Sequence, residues 1–446
     1  MRISVVEATK ILFYSSLKTF DEVLNIVSMK FSFSLLLFSF LFSANGQRIT
    51  LKGGTLHTGD GKVLENAVVS FDNGIINIVE SNPLFKTDET LGKIIDCKGK
   101  HIYPSLIAMN TYLGLSEVES VRATNDQVET GSFNPNARSI IAYNTDSKVI
   151  GTVRSNGILY AQIVPQGGRI SGSSSVVKLD GWNWEDASEK QDEGIWISWS
   201  QMYSRKGWWA DPQGIEINKD YDKQVQELKD FFREAASYHY ADKHEKKNLR
   251  FEAMRGVFEK EKTVFVRASY VKEMQHAIAF AEELNLKLVL VGAEDSWRIA
   301  DELARKKIAV VLGRLHEVPV NEDDDIDRIY KTPATLQKAG VVFALSMPGF
   351  WQVRNLPFVA GSAAAYGLDK EVALQSISST PAAILGLKNV GTIAVGNKAS
   401  LIVSEGDVMD MRTSIITLAF INGKEIDLSN KQTELQDKYK EKYGIK

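Results

Sequence analysis

The rhythm of apolar and polar residues changes twice along this chain. Between residues 49 and 79 short alternating runs are separated by turn residues. Ile49-Thr50-Leu51-Lys52 leads into Gly53-Gly54, Asp60-Gly61 precedes Ala67-Val68-Val69-Ser70-Phe71, and Asp72-Asn73-Gly74 precedes Ile75-Ile76-Asn77-Ile78-Val79. Period-two alternation punctuated by Asp-Gly and Asn-Gly predicts a small antiparallel sheet. The same rhythm returns past residue 390, in Ala399-Ser400-Leu401-Ile402-Val403 and Ile416–Ile421, with Asn422-Gly423 as a turn before Glu425-Ile426.

The middle of the chain follows another rule. Val264-Phe265-Val266, Leu288-Val289-Leu290-Val291 and Ile308–Leu312 are short continuous apolar runs about 20–24 residues apart. Between the first two, Val271, Met274, Ile278 and Ala281 recur at helical spacing. A second helix is expected at 296–305, and a further unit runs from a helix near Thr335–Ala339 into Val341–Leu345. Strands apolar on both faces, each followed by a helix, predict a parallel β/α architecture. The pattern as a whole predicts β-rich ends, residues 47–103 and 386–430, forming one small β-sandwich domain around an α/β middle, residues 104–385, with a charged helical tail at 431–446.

The first residues stand apart. Met29-Lys30 precedes thirteen mostly apolar residues, Phe31 to Ser43, followed by Ala44-Asn45-Gly46-Gln47. A basic start, a short apolar run and small residues before a cut after Gly46 have the layout of a signal peptide over 29–46. The run falls short of the roughly 20 residues that cross a bilayer. The layout implies translation from Met29, with 1–28 an upstream extension, and an exported, periplasmic or extracellular mature protein without a membrane span.

Composition narrows the chemistry. The 446 residues are 44% apolar and 24% charged, with a net charge of −3. That balance gives no electrostatic case for nucleic acid. Cys97 is the single cysteine, so a disulfide within the chain and a multi-thiol zinc site are both excluded. The histidines number six. His239 and His244 are five apart, and that spacing turns two helical side chains away from each other.

One stretch carries more functional information than any other: Tyr103-Pro104-Ser105-Leu106-Ile107-Ala108-Met109-Asn110-Thr111-Tyr112-Leu113-Gly114. It resembles the first barrel strand of the metal-dependent amidohydrolases, Pro-Gly-x-Ile-Asp-x-His-x-His. Four further pieces are similar to that superfamily, and within it to the imidazolonepropionase-like branch. They are the opening Leu51–Gly61, the approach Ile95–Pro104, the stretch Ser379–Leu401 with its Pro381-Ala382, and the closing Phe420-Ile421-Asn422-Gly423-Lys424. The likeness covers about residues 48–430. It implies a (β/α)8 TIM-type barrel with its site at the C-terminal ends of the strands.

The resemblance also implies a divalent metal, usually zinc, held by imidazoles and a carboxylate. Carried over strand by strand, the ligand positions fall on Asn110 and Tyr112, on Arg267, on Gly292 and on Pro348, the last also being the position of the general base. None of these is an imidazole or a carboxylate, and Arg267 has no lone pair to offer. No cofactor is therefore expected. Asn110, Tyr112, Arg169, Arg267, His316 and Arg354 are the expected ligand-binding residues. Arg169 lies in a Gly/Ser-rich segment, Gln166–Ser175, suited to an anion. Two other features bear on the mouth: a tryptophan-rich stretch at 180–209, expected to be an insertion in the barrel, and an acidic run, Glu322–Asp327, expected to be a solvated loop. The first functional reading is an amidohydrolase-fold protein that has lost metal catalysis and binds a small ligand or a partner, either an active homologous amidohydrolase or a second copy of itself. The alternative is an active hydrolase of small cyclic amides or dipeptide-like substrates, working on non-peptide carbon–nitrogen bonds with residues of its own.

Overall fold

Five strands open the described chain, β1 (Ile49–His57), β2 (Val63–Asp72), β3 (Ile75–Ser81), β4 (Lys93–Asp96) and β5 (His101–Pro104). Ten follow: β6 (Leu106–Thr111), β7 (Ile158–Ile163), β8 (Ile170–Lys178), β9 (Ser188–Ser198), β10 (Tyr203–Arg205), β11 (Ile215–Ile217), β12 (Thr263–Ala268), β13 (Leu288–Gly292), β14 (Ala309–Leu312) and β15 (Phe343–Leu345). The last three are β16 (Leu401–Ser404), β17 (Ile416–Ile421) and β18 (Lys424–Glu425). The computed structural model describes residues 48–82, 91–205, 215–241, 243, 246–318 and 325–445. The upstream extension, the signal segment and its cut, His244, Trp208, Trp209 and residues 322–324 of the acidic run lie outside the described residues. The described residues form one compact unit within Arg48–Lys446. None of its helices is long and apolar enough to cross a membrane.

The two chain ends share a sheet, in the order β18-β17-β16-β5-β1-β2-β3, with β4 pairing β1. Its turns are set by residue chemistry. Asn73 and Gly74 (φ 48° and 81°) join β2 to β3, and Asn422 and Gly423 (φ 50° and 77°) join β17 to β18. Positive φ at both central positions matches the right-handed twist of a two-residue hairpin, and Asn-Gly adopts it at least cost. The two turns abut: a Cβ on Gly74 would sit 2.7 Å from the Asn422 carbonyl oxygen. Leu51, Leu56, Phe71, Leu401, Val403 and Phe420 form a core of their own there.

The second sheet is a nearly closed barrel, in the order β15-β14-β13-β12-β9-β8-β7-β6. Closure is completed by a loop rather than a ladder. Leu345 N–H donates to Ser376 O (3.0 Å) and Ile107 N–H to Ile377 O (2.8 Å). Helices follow the strands where the periodicity predicts them: Val271–Glu283 buries Met274, Ile278 and Ala281, and Arg328–Ala339 precedes β15. The tail forms a helix, Lys431–Tyr443, with no buried residue.

Three expectations need correction. The barrel is not uniformly parallel, because β8 runs antiparallel to both β7 and β9. Only residues 164–169 separate β7 from β8, with Gly167 and Gly168 at φ 75° and 63°. That is too short for a parallel crossover, which takes a dozen or more residues. The Gly/Ser-rich segment is accordingly a turn at its start and barrel wall beyond, where Ser171, Ser173, Ser174 and Ser175 are buried. The tryptophan-rich stretch is not simply an insertion, since β9 runs through it and carries Trp196 in the barrel core. Trp182, by contrast, is 90% exposed.

Candidate functional site: the barrel mouth

Strand β6 ends in a distortion. Its pairing with β7 slips between Ala108 and Thr111, and Asn110 adopts φ 55°. Asparagine tolerates this left-handed backbone better than most residues, and bulges of this kind re-aim side chains beside functional sites. The slip takes the Asn110 N–H out of the ladder, and it donates to Gln162 Oε1 at 3.3 Å. Thr111 Oγ donates to the Gly349 carbonyl and so ties β6 to the segment after β15. Tyr112 leans on Phe350, with ring centroids 5.7 Å apart, and its hydroxyl donates to Glu119 Oε1 at 3.1 Å. Burial, and then the Glu119 carboxylate, push its phenol pKa up.

Arg267 closes β12. Its guanidinium carbon lies 4.5 Å from the centroid of the Trp196 ring. Its N–H groups make two long hydrogen bonds, both 3.5 Å, to Ser171 Oγ and the Pro165 carbonyl. No carboxylate pairs with it among the described residues. Burial lowers its pKa to about 10, so it remains a cation at neutral pH. Arg169 is its neighbour across one residue. Ser198 of β9 pairs in register with Arg267, and Ser198 N–H donates to Arg169 O at 2.9 Å. The Arg169 guanidinium donates to Ser200 Oγ. It lines a cavity of about 470 Å³ together with Ser198, Trp199, Ser200, Asn218 and Gln224. Burial pulls its pKa down.

The remaining expected residues are placed less centrally. His316 Nε2 lies 2.8 Å from Ser362 Oγ, and the Ser362 hydroxyl proton is committed to the Phe358 carbonyl. Burial lowers the His316 pKa. Arg354 folds over Trp351 at 4.6 Å, and its own carbonyl accepts from Asn156 Nδ2. These contacts link Arg354 to the segment before β7, and none of them reaches Arg267 or Arg169. Gly292 has φ 83°, a backbone that strains any side chain placed there, and Pro348 offers no donor atom. Among the described residues, no three His, Cys, Asp or Glu side chains come together as a metal site would require.

Sequence reasoning missed the polar cluster beneath this mouth. Glu193 of β9 is 3% exposed, and its Oε1 accepts from Ser174 Oγ (2.6 Å) and from Gln162 Nε2 (2.7 Å). Ser174 Oγ in turn accepts from Trp196 Nε1–H at 2.7 Å. Desolvation pushes the Glu193 carboxyl up to about 7, against the pull of these hydrogen bonds. In the sequence Glu193 closes the charged run Ser188-Glu189-Lys190-Gln191-Asp192, which reads as a solvated loop. Asp192, at φ 50°, lies where the β8–β9 register shifts, and the next side chain is buried.

Comparison with known proteins agrees with this architecture. The amidohydrolase family model matches residues 233–426. The fold is that of an amidohydrolase from Thermotoga maritima, at 23% identity, 85% coverage of this chain and 99% of that one, with a TM-score of 0.72. It is also shared with the A. niger ochratoxinase (13% identity, 86% and 98% coverage, TM-score 0.52). A molinate hydrolase shares it too (13% identity, 86% and 95% coverage, TM-score 0.51). No curated protein matches the chain in sequence. The fold is thus the amidohydrolase fold, with the C-terminal ends of its strands as the place where such barrels keep their sites.

Proposed function

We propose that this chain is an amidohydrolase-family protein of the imidazolonepropionase-like branch, whose mouth binds a small carboxylate-bearing ligand without a metal. The observation that carries this reading is Arg267, a cation over Trp196 with no carboxylate partner among the described residues, at a position where the resemblance puts a metal-ligating histidine. A divalent ion does not fit beside it. The guanidinium repels it, and Asn110, Tyr112, Gly292 and Pro348 supply neither imidazole nor carboxylate to offset that cost. An anion fits. Arg267 and Arg169 flank Ser198, and a planar guanidinium matches a carboxylate with two parallel hydrogen bonds. Tyr112 and Asn110 would border the ligand. The partner is such a small molecule, and an active homologous amidohydrolase or a second copy of this chain is the wider possibility that the same reading allows. Export through residues 29–46 belongs to this proposal and is checked by sequencing the N-terminus of the mature protein.

A second reading is supported by the solved structures of the same fold, two of which carry hydrolase names. Here the chain hydrolyses a carbon–nitrogen bond with a base of its own. Glu193 has a pKa suited to general-base work, but it is enclosed and lines none of the cavities described. Without a base or a metal at the mouth, water is far too weak an acid to give hydroxide at neutral pH and is a poor nucleophile.

Elemental analysis of protein purified without chelator, combined with a thermal-shift screen of mono- and dicarboxylates, tests the choice. Less than stoichiometric metal, no change in Tm with EDTA, and stabilisation by a carboxylate that Arg267→Ala abolishes are the expected results. One tightly held zinc per chain, or turnover of N-acyl amino acids by the metal-free protein, would overturn the first reading.

A further inference from the structure

The barrel interior holds one carboxylate that nothing so far explains. Glu193 takes its two side-chain hydrogen bonds on Oε1, while its buried Oε2 has no hydrogen-bond partner among the described residues. A lone buried carboxylate is costly unless it does something the apolar alternative cannot. Each hydrogen bond begins a chain that ends at the mouth. Through Gln162, whose Nε2 donates to Glu193 and whose Oε1 accepts from Asn110 N–H, it reaches the left-handed backbone at the end of β6. Through Ser174, whose hydroxyl donates to Glu193 and accepts from the indole N–H of Trp196, it reaches the ring that carries Arg267. One carboxylate thus orients groups on β6, β7, β8 and β9 and, through the ring, β12.

We propose that Glu193 is a positioning residue, the proton-binding hub that sets both the Asn110 backbone and the Trp196–Arg267 stack, so that the geometry of the mouth follows its protonation. In the ionised form Oε1 is a strong acceptor and draws in the Gln162 amide and the Ser174 hydroxyl. On protonation that pull weakens on both chains at once, and Gln162 and Ser174 relax together. A midpoint near 7 puts the change in the neutral range. The charged groups around the carboxylate do not cancel it. Lys190 is held by the Leu385 carbonyl at 2.7 Å, and Asp192 is paired with Arg138 at 2.7 Å. Lys262 lies near both carboxylates and donates to the Ala253 carbonyl.

The consequence for binding rests on the ligand-site reading above, whereas the coupling itself does not. The test follows the Trp196 indole N–H and the Asn110 amide in 1H–15N spectra of the full chain from pH 5.5 to 8.5, with glutarate as the binding probe in parallel. Both resonances are expected to shift with one midpoint near 7 in the wild type and to stay flat in Glu193→Gln. Ser174→Ala should silence Trp196 and leave the Asn110 titration, and Gln162→Leu should do the reverse. These arms remain informative even where Glu193→Gln folds poorly. Resonances that fail to titrate, or that still titrate in Glu193→Gln, overturn the proposal whether or not glutarate binds. If they titrate and glutarate does not bind, the hub stands and the carboxylate reading fails. If glutarate binds, its affinity should change across pH 7 in the wild type and lose that dependence in Glu193→Gln.

Discussion

At the scale of single residues, two side chains define what is unusual here, and both are charged groups inside a barrel. Arg267 keeps its proton despite burial because its unperturbed pKa is so high, and Trp196 offers it a polarisable face in place of a counter-ion. Glu193 has no such reserve, and desolvation pushes its carboxyl from the ordinary 4.5 up to about 7. The sign for stability follows. Between about pH 4.5 and 7 the unfolded chain has released this proton and the folded one has not, so Glu193 costs stability as pH rises through that window. Glu193→Gln removes that loss. Its Tm relative to wild type should therefore climb as pH is raised from 5 to 8, by an amount on the order of 3 kcal/mol in stability. Thermal melts at several pH values check this, and a constant difference would mean that Glu193 is ionised throughout. His101, His276 and His316, all held low in pKa by burial, act in the opposite sense and weaken the fold as pH falls below about 6.5.

At the scale of elements, β9 is the strand on which the site depends. It brings Glu193 and Trp196 into the interior and Ser198 between the two arginines. It needs a small residue where it crosses β12. A Cβ on Gly194 would overlap the Phe265 ring, which itself stacks on Trp196 at 4.9 Å. Gly194→Ala is expected to destabilise by about 1–3 kcal/mol through overpacking. It should also disturb the Trp196–Arg267 stack, seen as a change in tryptophan emission and a lower urea midpoint. Periodicity located β12, β13, β14 and their helices because each is a continuous apolar run with an amphipathic helix behind it. It could not locate β8 or β9. Serine-rich and charged stretches read as loop, and only their pairing with β7 and β12 makes them wall.

At the scale of the whole molecule, the chain ends meet. Strand β16 lies between β17 and β5, so residues about 300 positions apart in the chain, such as His101 and Ser404, pair in one sheet. A buried staple joins that sheet to the barrel helices. His57 Nδ1–H donates to Glu371 Oε1 at 2.8 Å, its Nε2 lies 3.1 Å from His101 Nδ1, and Tyr103 stacks on its ring at 4.4 Å. Removing residues 401–446 would expose the β5 edge and strip Leu401, Val403 and Phe420 from their core. Such a chain should lose cooperative thermal unfolding by circular dichroism; retention of the wild-type melt would show that the barrel does not depend on the sheet.

The sequence by itself determined the hairpin turns at Asn73-Gly74 and Asn422-Gly423, the helix at Val271–Glu283, the parallel strands beside it and which residues stand at the five positions where the resemblance expects metal ligands. These are local matters: a turn residue, a helical face and the absence of a lone pair are properties of the residues themselves. Only the tertiary structure decided that β8 runs backwards, that the backbones of Arg169 and Arg267 flank Ser198, and that a glutamate from a charged run is buried inside the barrel. Those outcomes depend on which strands pair and on how much water each group loses. Register and desolvation are set by the assembled sheet, and no stretch of the chain encodes them alone.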